Sequence, residues 1–219
     1  MFPAIRQEVE RRLLLIQQSL AALAKIESEG SFPPDVSRCL KGLTFVQLYA
    51  VYEHCVSSAV QAALREVNAS RIALCDLRHE LLCLALDDTC RSLEDCRPNR
   101  TWKARLILMG KSRSREPARA PEGLFPADGT HFRIDQLRTI WALFGIGAPE
   151  VPDNRLIGRI AELVELRNGI THGRLRAEEV GSGVSVQDLE SRCADTADIC
   201  MHVIGSLEEH VTDPGHLRA

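Results

Sequence analysis

The chain has 219 residues, long enough for one sizeable core, and its 45% hydrophobic and 26% charged residues are ordinary for a globular protein. A net charge of −3 gives no whole-chain attraction to phosphate, so any nucleic-acid site has to be a local patch. The eight cysteines form no C-x-x-C pair, the first ten residues carry charge where a leader would be apolar, and no run approaches the ~18–20 apolar residues of a membrane helix; the expectations are reduced thiols, no metal or other cofactor, no membrane contact and a cytoplasmic location.

Aromatics are only 5% of the chain, and the apolar content is mostly Leu, Ala, Ile and Val, which suits helices better than a β-sandwich. A first helix is predicted from near Pro3 to about Glu27, with Ile5, Val9, Leu13, Ile16, Leu20 and Leu23 at spacings of three and four; the stretch from Gly30 to Pro34 ends it. A second runs from about Asp35, a suitable N-cap, to about Val67, with Phe45, Tyr49, Tyr52, Val56, Val60 and Ala63 along one face. A third is predicted over Ile72 to about Asp95. There His79, Cys83 and Cys90 share a face, and buried small side chains are the preferred reading over metal ligands.

Residues 97 to 122 change character. Arg97, Arg100, Lys103, Arg105, Lys111, Arg113, Arg115 and Arg119 are opposed within the stretch only by Glu116 and Glu122. A short helix over Trp102 to Met109, followed by a loop enforced by Pro117 and Pro121, is expected; Trp102 amid the cations could stack on a base, and a core anchor is the preferred reading. The cations suit either an electrostatic footprint for RNA or a solvated loop that meets an acidic partner. A turn-rich piece, Phe125 to His131, precedes a helix from Ile134 to Phe144. A further helix begins near Asp153 or Asn154 and runs to His172, with Gly173 as a natural C′ residue. A connection containing Gly and Ser leads to a last helix from Val186 to Val211, opened by Ser185-Val-Gln-Asp188, and the tail after Asp213 is expected to fray. The fold class is all-α: an antiparallel bundle of five to seven helices in one domain over 1–219, with an N-terminal helix over 1–30, a basic insertion over 97–122 and a motif helix over 153–173.

The motif is Arg-Asn-Gly-Ile-Thr-His-Gly, residues 167 to 173. It places a permanent cation, an amide and an imidazole within about two helical turns. Arginine presents a planar fork of donors to phosphate and histidine moves a proton near neutral pH, a pairing suited to phosphodiester cleavage. On a helical wheel Leu156, Ile160, Leu163 and Ile170 form the main apolar stripe, with Arg167 in its middle. Ile157, Ala161 and Val164 form a second arc that continues through Asn168 to His172. A helix apolar on two sides suits one face toward its own core and one toward a second subunit. An arginine in an apolar stripe needs a partner, and Glu53, semi-buried beside Tyr49 on the second helix, is the expected one. That pair would either pin the register of the bundle or orient Arg167 toward phosphate. The other histidines have no phosphate-binding set near them in sequence, and Ser57 and Ser58 have no base placed beside them.

Arg167, Asn168, His172 and Gly173, with the Tyr-x-x-Tyr-Glu of Tyr49, Tyr52 and Glu53, resemble the pattern of the HEPN superfamily over roughly residues 36 to 211. The resemblance implies a metal-independent endoribonuclease working as a homodimer, two motifs facing across the interface. The substrate 2′-OH would attack the adjacent phosphate and leave a 2′,3′-cyclic phosphate and a 5′-OH. His172 would be general base or acid, Arg167 would hold the phosphate, Asn168 would bond phosphate or position His172, and Glu53 would support Arg167. It also implies a role as a toxin or anti-phage effector restrained by an antitoxin or sensor protein. The competing reading is a non-catalytic HEPN module that binds RNA, a nucleotide or a partner protein. An exposed His172 facing the partner subunit favours the enzyme, and a His172 buried in one subunit's core favours the module.

Overall fold

The structure, a computed structural model, describes residues 1–31, 33–123 and 132–218. Nine α-helices and no strand are present among the described residues: α1 Phe2–Glu29, α2 Pro34–Ala69, α3 His79–Ala85, α4 Asp87–Glu94, α5 Thr101–Ser112, α6 Ile134–Phe144, α7 Arg155–Thr171, α8 Ala177–Ser182 and α9 Val186–Thr212. The chain is all-α, as its composition implies. The turn-rich piece expected over Phe125 to His131 lies outside the described residues. No described helix is long and apolar enough to cross a membrane.

The chain divides into two compact units, one of Met1–Ser58, His131–Leu137 and Pro149–Gly205, the other of Ala59–Thr130, Arg138–Ala148 and Ser206–Ala219. Helices α2, α6 and α9 contribute residues to both.

The first unit holds α1, the first two-thirds of α2, α7, α8 and most of α9. Its periodic apolar residues do what their spacing requires: Val9, Leu13, Ile16, Leu20 and Leu23 of α1, Phe45, Leu48, Tyr49, Tyr52 and Val56 of α2, and Leu156, Ile160, Leu163 and Val164 of α7 are all buried. Gly30 takes a left-handed φ of 63°, and its N–H bonds the Glu27 carbonyl, closing α1 before the turn into α2. Glu27 receives the Ser37 hydroxyl and the Lys41 ammonium, the latter at 3.1 Å, which fastens the end of α1 to the start of α2. Between α7 and α9 runs a chain of ion pairs. Arg159 bonds Asp195 at 2.8 Å and Glu162 at 3.1 Å, and Arg192 bonds Glu162 at 2.8 Å while its guanidinium lies over the Phe45 ring. Ser185 and Asp188 exchange bonds across the first turn of α9, the reciprocal cap the sequence indicated.

In the second unit the structure departs from the sequence reading. The third helix expected over Ile72 to Asp95 does not exist as one element. Arg71 turns the chain with a φ of 52°, Leu74–Asp76 is a single 3₁₀ turn, and the backbone pairs locally at Ala73 with Pro117 and at Leu77 with Arg218 before α3 begins. A chain committed to those two bridges has its N–H groups bonded elsewhere and cannot continue a helical ladder. The tail after Asp213 is likewise not frayed. Its Leu217 is buried, and the Arg78 N–H bonds the Leu217 carbonyl at 3.0 Å. Cys83 is exposed and Cys90 half-buried, so the reading of these thiols as core residues is wrong; the buried thiols are Cys55, Cys193 and Cys200.

Candidate active site at the end of α7

Helix α7 ends where the sequence places its stop. Thr171 is its last residue, His172 its C-cap, and Gly173 adopts a left-handed φ of 68°. The N–H groups of Arg174 and Leu175 both return to the Gly169 carbonyl, at 2.8 and 2.9 Å, folding the chain back over the last turn. Leu175 then lies on Gly169: a Cβ there would stand 2.5 Å from a Leu175 methyl. The glycine that weakens the helix by about 1 kcal/mol relative to alanine therefore makes room for the returning loop.

That loop is anchored by a close helix crossing. A Cβ on Gly42 would meet the Ala177 carbonyl oxygen at 2.0 Å, and a Cβ on Gly181 would meet the Arg38 carbonyl oxygen at 1.8 Å. The short helix α8 thus rests with its backbone directly on α2, a contact only glycine permits. Since α8 begins five residues after His172, the crossing restrains the loop that leaves the motif. Two glycines in different helices carry no pairing signal in sequence, and this contact was not foreseen; nor was α8, which lies in the expected Gly- and Ser-containing connection.

Three of the predicted residues, Arg167, Asn168 and Glu53, are joined through Tyr49. Arg167 is half-buried, and its guanidinium carbon stands 4.9 Å from the centre of the Tyr49 ring, the geometry of a cation–π contact. Its Nη1 donates to the Asn168 Oδ1 at 3.0 Å. The Tyr49 hydroxyl donates to Glu53 Oε1 at 3.2 Å. Burial, and then the charge and hydrogen bond of Glu53, push the Tyr49 phenol far above its ordinary range, with Arg167 opposing them more weakly. The phenol therefore stays protonated and donating. The expected link between Glu53 and Arg167 runs through the aromatic ring of Tyr49, with Glu53 giving its carboxylate to the phenol. Tyr49, read from sequence as one of a row of apolar residues, is the element that makes this link.

His172 is exposed, while Asn168 is buried and accepts from its neighbour Arg167. The His172 N–H closes on the Asn168 carbonyl at 3.1 Å, so the backbone of one sets the position of the other. The second apolar arc is not the open face that the wheel suggested. Val164 and Asn168 are buried and Ile157 is half-buried within the first unit's own packing, leaving Ala161 and His172 exposed. Arg133 adds a further cation to this unit and pairs with Glu165 of α7 at 2.8 Å.

The predicted RNA-contacting cations Arg97, Arg100, Lys103, Arg105, Lys111 and Arg113 belong to the second unit, on and beside α5, and all six are exposed. Trp102 is 74% exposed, so it is not a core anchor: α5 buries no residue, and the indole stands out from it.

The sequence model of the MAE_28990-like HEPN family matches residues 6–214. The chain belongs to the HEPN superfamily. The match begins in α1 and runs into the tail beyond α9, so the HEPN region takes in the first helix, which the motif-based resemblance from residue 36 did not reach. No curated protein and no solved structure matches the chain.

Proposed function

We propose that this HEPN protein is an endoribonuclease that cleaves by attack of the substrate 2′-OH on the adjacent phosphate, with no metal ion in the chemical step. The observation that carries the reading is the end of α7. An exposed imidazole, His172, follows an arginine whose guanidinium lies over the Tyr49 ring and bonds the Asn168 side chain. A guanidinium fixed by neighbours loses less freedom when it binds phosphate than one swinging in solvent, and it can stabilise the charge that grows on the phosphoryl oxygens. An exposed imidazole can reach a 2′-OH or a leaving 5′-oxygen, the two places where a proton must move. Arg167 holds phosphate, His172 transfers the proton, Asn168 orients Arg167, and Glu53 acts through Tyr49. The active form is a homodimer in which two copies of His172 approach one RNA strand. The setting is a toxin or anti-phage effector held in check by an antitoxin or sensor protein.

His172 is exposed, so it lacks the core burial that would mark a non-catalytic HEPN module; its facing a partner subunit is part of the proposal. The test is substrate chemistry. An oligonucleotide that is cut as RNA should survive intact as DNA of the same sequence, because DNA lacks the nucleophile. Cleavage of both at similar rates would sink the proposed reaction.

A further inference from the structure

Among the described helices of more than ten residues, α5 alone buries none of its residues. On a wheel of about 100° per residue, Trp102, Leu106 and Met109 fall within one narrow arc. They are 74%, 72% and 53% exposed, so this is an apolar ridge facing outward. Lys103 lies on one side of it and Arg105 on the other, and Arg113 continues it at the C-terminal end. Arg97 and Arg100 precede the helix, and Lys111 leans to α4, where its ammonium meets the Thr89 hydroxyl at 3.1 Å. The Arg105 guanidinium carbon stands 4.9 Å from the Trp102 ring centre and covers one face of the indole. With Trp102 74% exposed, the face away from Arg105 is the one left for a ligand. Acids flank this surface too: α4 carries Asp87, held by Arg91 at 2.8 Å, with Asp88 and Glu94, and Asp95 and Glu116 are exposed on either side of α5 in sequence.

An exposed aromatic backed by a guanidinium and edged by cations is a stacking platform with an electrostatic rail. We propose that α5 is a binding site for single-stranded RNA, a base stacking on the free face of Trp102 and apolar bases or sugars covering Leu106 and Met109, with Arg97, Arg100, Lys103 and Arg113 on the phosphates. This rests on the ribonuclease reading for the identity of the polymer, and names its substrate class as unpaired RNA. A duplex keeps its bases stacked and offers this surface only phosphates and sugar hydroxyls, which would leave the ridge uncovered. A single strand offers both a backbone for the cations and open π-faces for the indole. An anionic lipid surface fits less well, because the apolar ridge is only two turns long and a cation, Arg113, follows in line with it.

The test uses the full chain carrying His172→Ala, so that binding is read without cleavage, and the probe is a fluorophore-labelled 12-nucleotide oligoadenylate. Its affinity is measured by anisotropy against salt, beside a duplex RNA of equal length and vesicles of phosphatidylcholine with 30% phosphatidylserine. The expected result is single-strand binding with a negative log–log salt slope of about 0.7 per phosphate contact, and preference over the duplex. Trp102→Ala should weaken it about 5- to 150-fold while Trp102→Phe retains most of it, and Lys103→Gln should make the salt slope shallower by about 0.7. Because Trp102 and Lys103 are exposed, these variants should fold as the parent does, which circular dichroism checks. Affinity indifferent to Trp102, preference for the duplex, capture by the acidic vesicles but not by RNA, or self-association through this face each overturns the proposal. Stacking on Trp102 in a protein that cuts nothing would leave the α5 site standing and remove the ribonuclease; cleavage without Trp102-dependent binding would do the reverse.

Discussion

The ring of Tyr49 supports the guanidinium of Arg167 from 4.9 Å while its hydroxyl is tied to Glu53 at 3.2 Å. One side chain thus meets both charges, and each bond of the tyrosine has its own test. Tyr49→Phe keeps the ring and removes the bond to Glu53, so RNA cleavage should fall by no more than about 10-fold, the scale of one hydrogen bond. Tyr49→Leu removes the π-face and should cost about 2- to 30-fold in cleavage, the range of a cation–π contact. If the tyrosine positions Arg167, the Leu variant should raise KM for RNA more than the Phe variant does under conditions where both are folded; the Leu variant, which leaves space in the core, should unfold at the lower urea concentration.

Arg167 is expected to resist replacement by its like-charged neighbour in chemistry. Lysine keeps the charge but loses the planar fork that bonds Asn168 and that, on the proposed reading, holds phosphate. Arg167→Lys should lower kcat/KM by about 100-fold, the scale for losing one donor to a developing oxyanion. Activity within a few-fold of the parent would show that a simple positive charge suffices.

The close crossing of α2 and α8 predicts opposite outcomes for one substitution at three places. Gly42→Ala and Gly181→Ala put a methyl into a facing carbonyl and should each cost about 1–3 kcal/mol, loosening the 174–183 segment. Gly158→Ala, in α7, meets nothing within 4 Å and should stabilise by up to about 1 kcal/mol. Urea unfolding compares the three, and limited proteolysis reports whether cleavage moves to the loop after His172. Equal effects at all three positions would mean that the crossing is not as tight as drawn.

How much of this was legible beforehand follows from which interactions are local. The helix over Ile134 to Phe144 and the span and stop of α7 were readable because apolar period and a C′ glycine are written in neighbouring residues. The break-up of the segment from Ile72 to Asp95 was not, because its cause is pairing with Pro117 and Arg218, distant in sequence. The ordered tail was missed for the same reason. Trp102 was read as a core anchor because a tryptophan carries a large apolar surface, and only the three-dimensional placement of α5 shows that it stands 74% exposed. In the site, residue types identified Arg167 and His172, but the bond order from Glu53 to Tyr49 to Arg167 needed coordinates.

Stability should fall as the medium becomes mildly acidic. Burial, more than any charge, holds His54 and His210 below the ordinary histidine value of 6.5; Arg12 adds to this at His54, and His216 and Arg78 at His210, against Glu8 and Asp213 respectively. Neutral imidazole is thus favoured in the folded chain. As pH drops through about 6.5 the unfolded chain takes up protons first, so the stabilisation present above that pH is lost below it. Urea midpoints should decrease from pH 8 to pH 5, and the double variant His54→Gln with His210→Gln should show a shallower decline. A midpoint that rises toward pH 5 would contradict the assignment.

The most direct measurement of the central claim is cleavage of a tRNA pool in excess EDTA by the parent protein and by His172→Ala, with the product ends identified. The account predicts cleavage by the parent alone, leaving 2′,3′-cyclic phosphates and 5′-hydroxyls, with the variant folded and at least about 100-fold slower. Equal cleavage by both proteins, or products bearing 5′-phosphates, would contradict it.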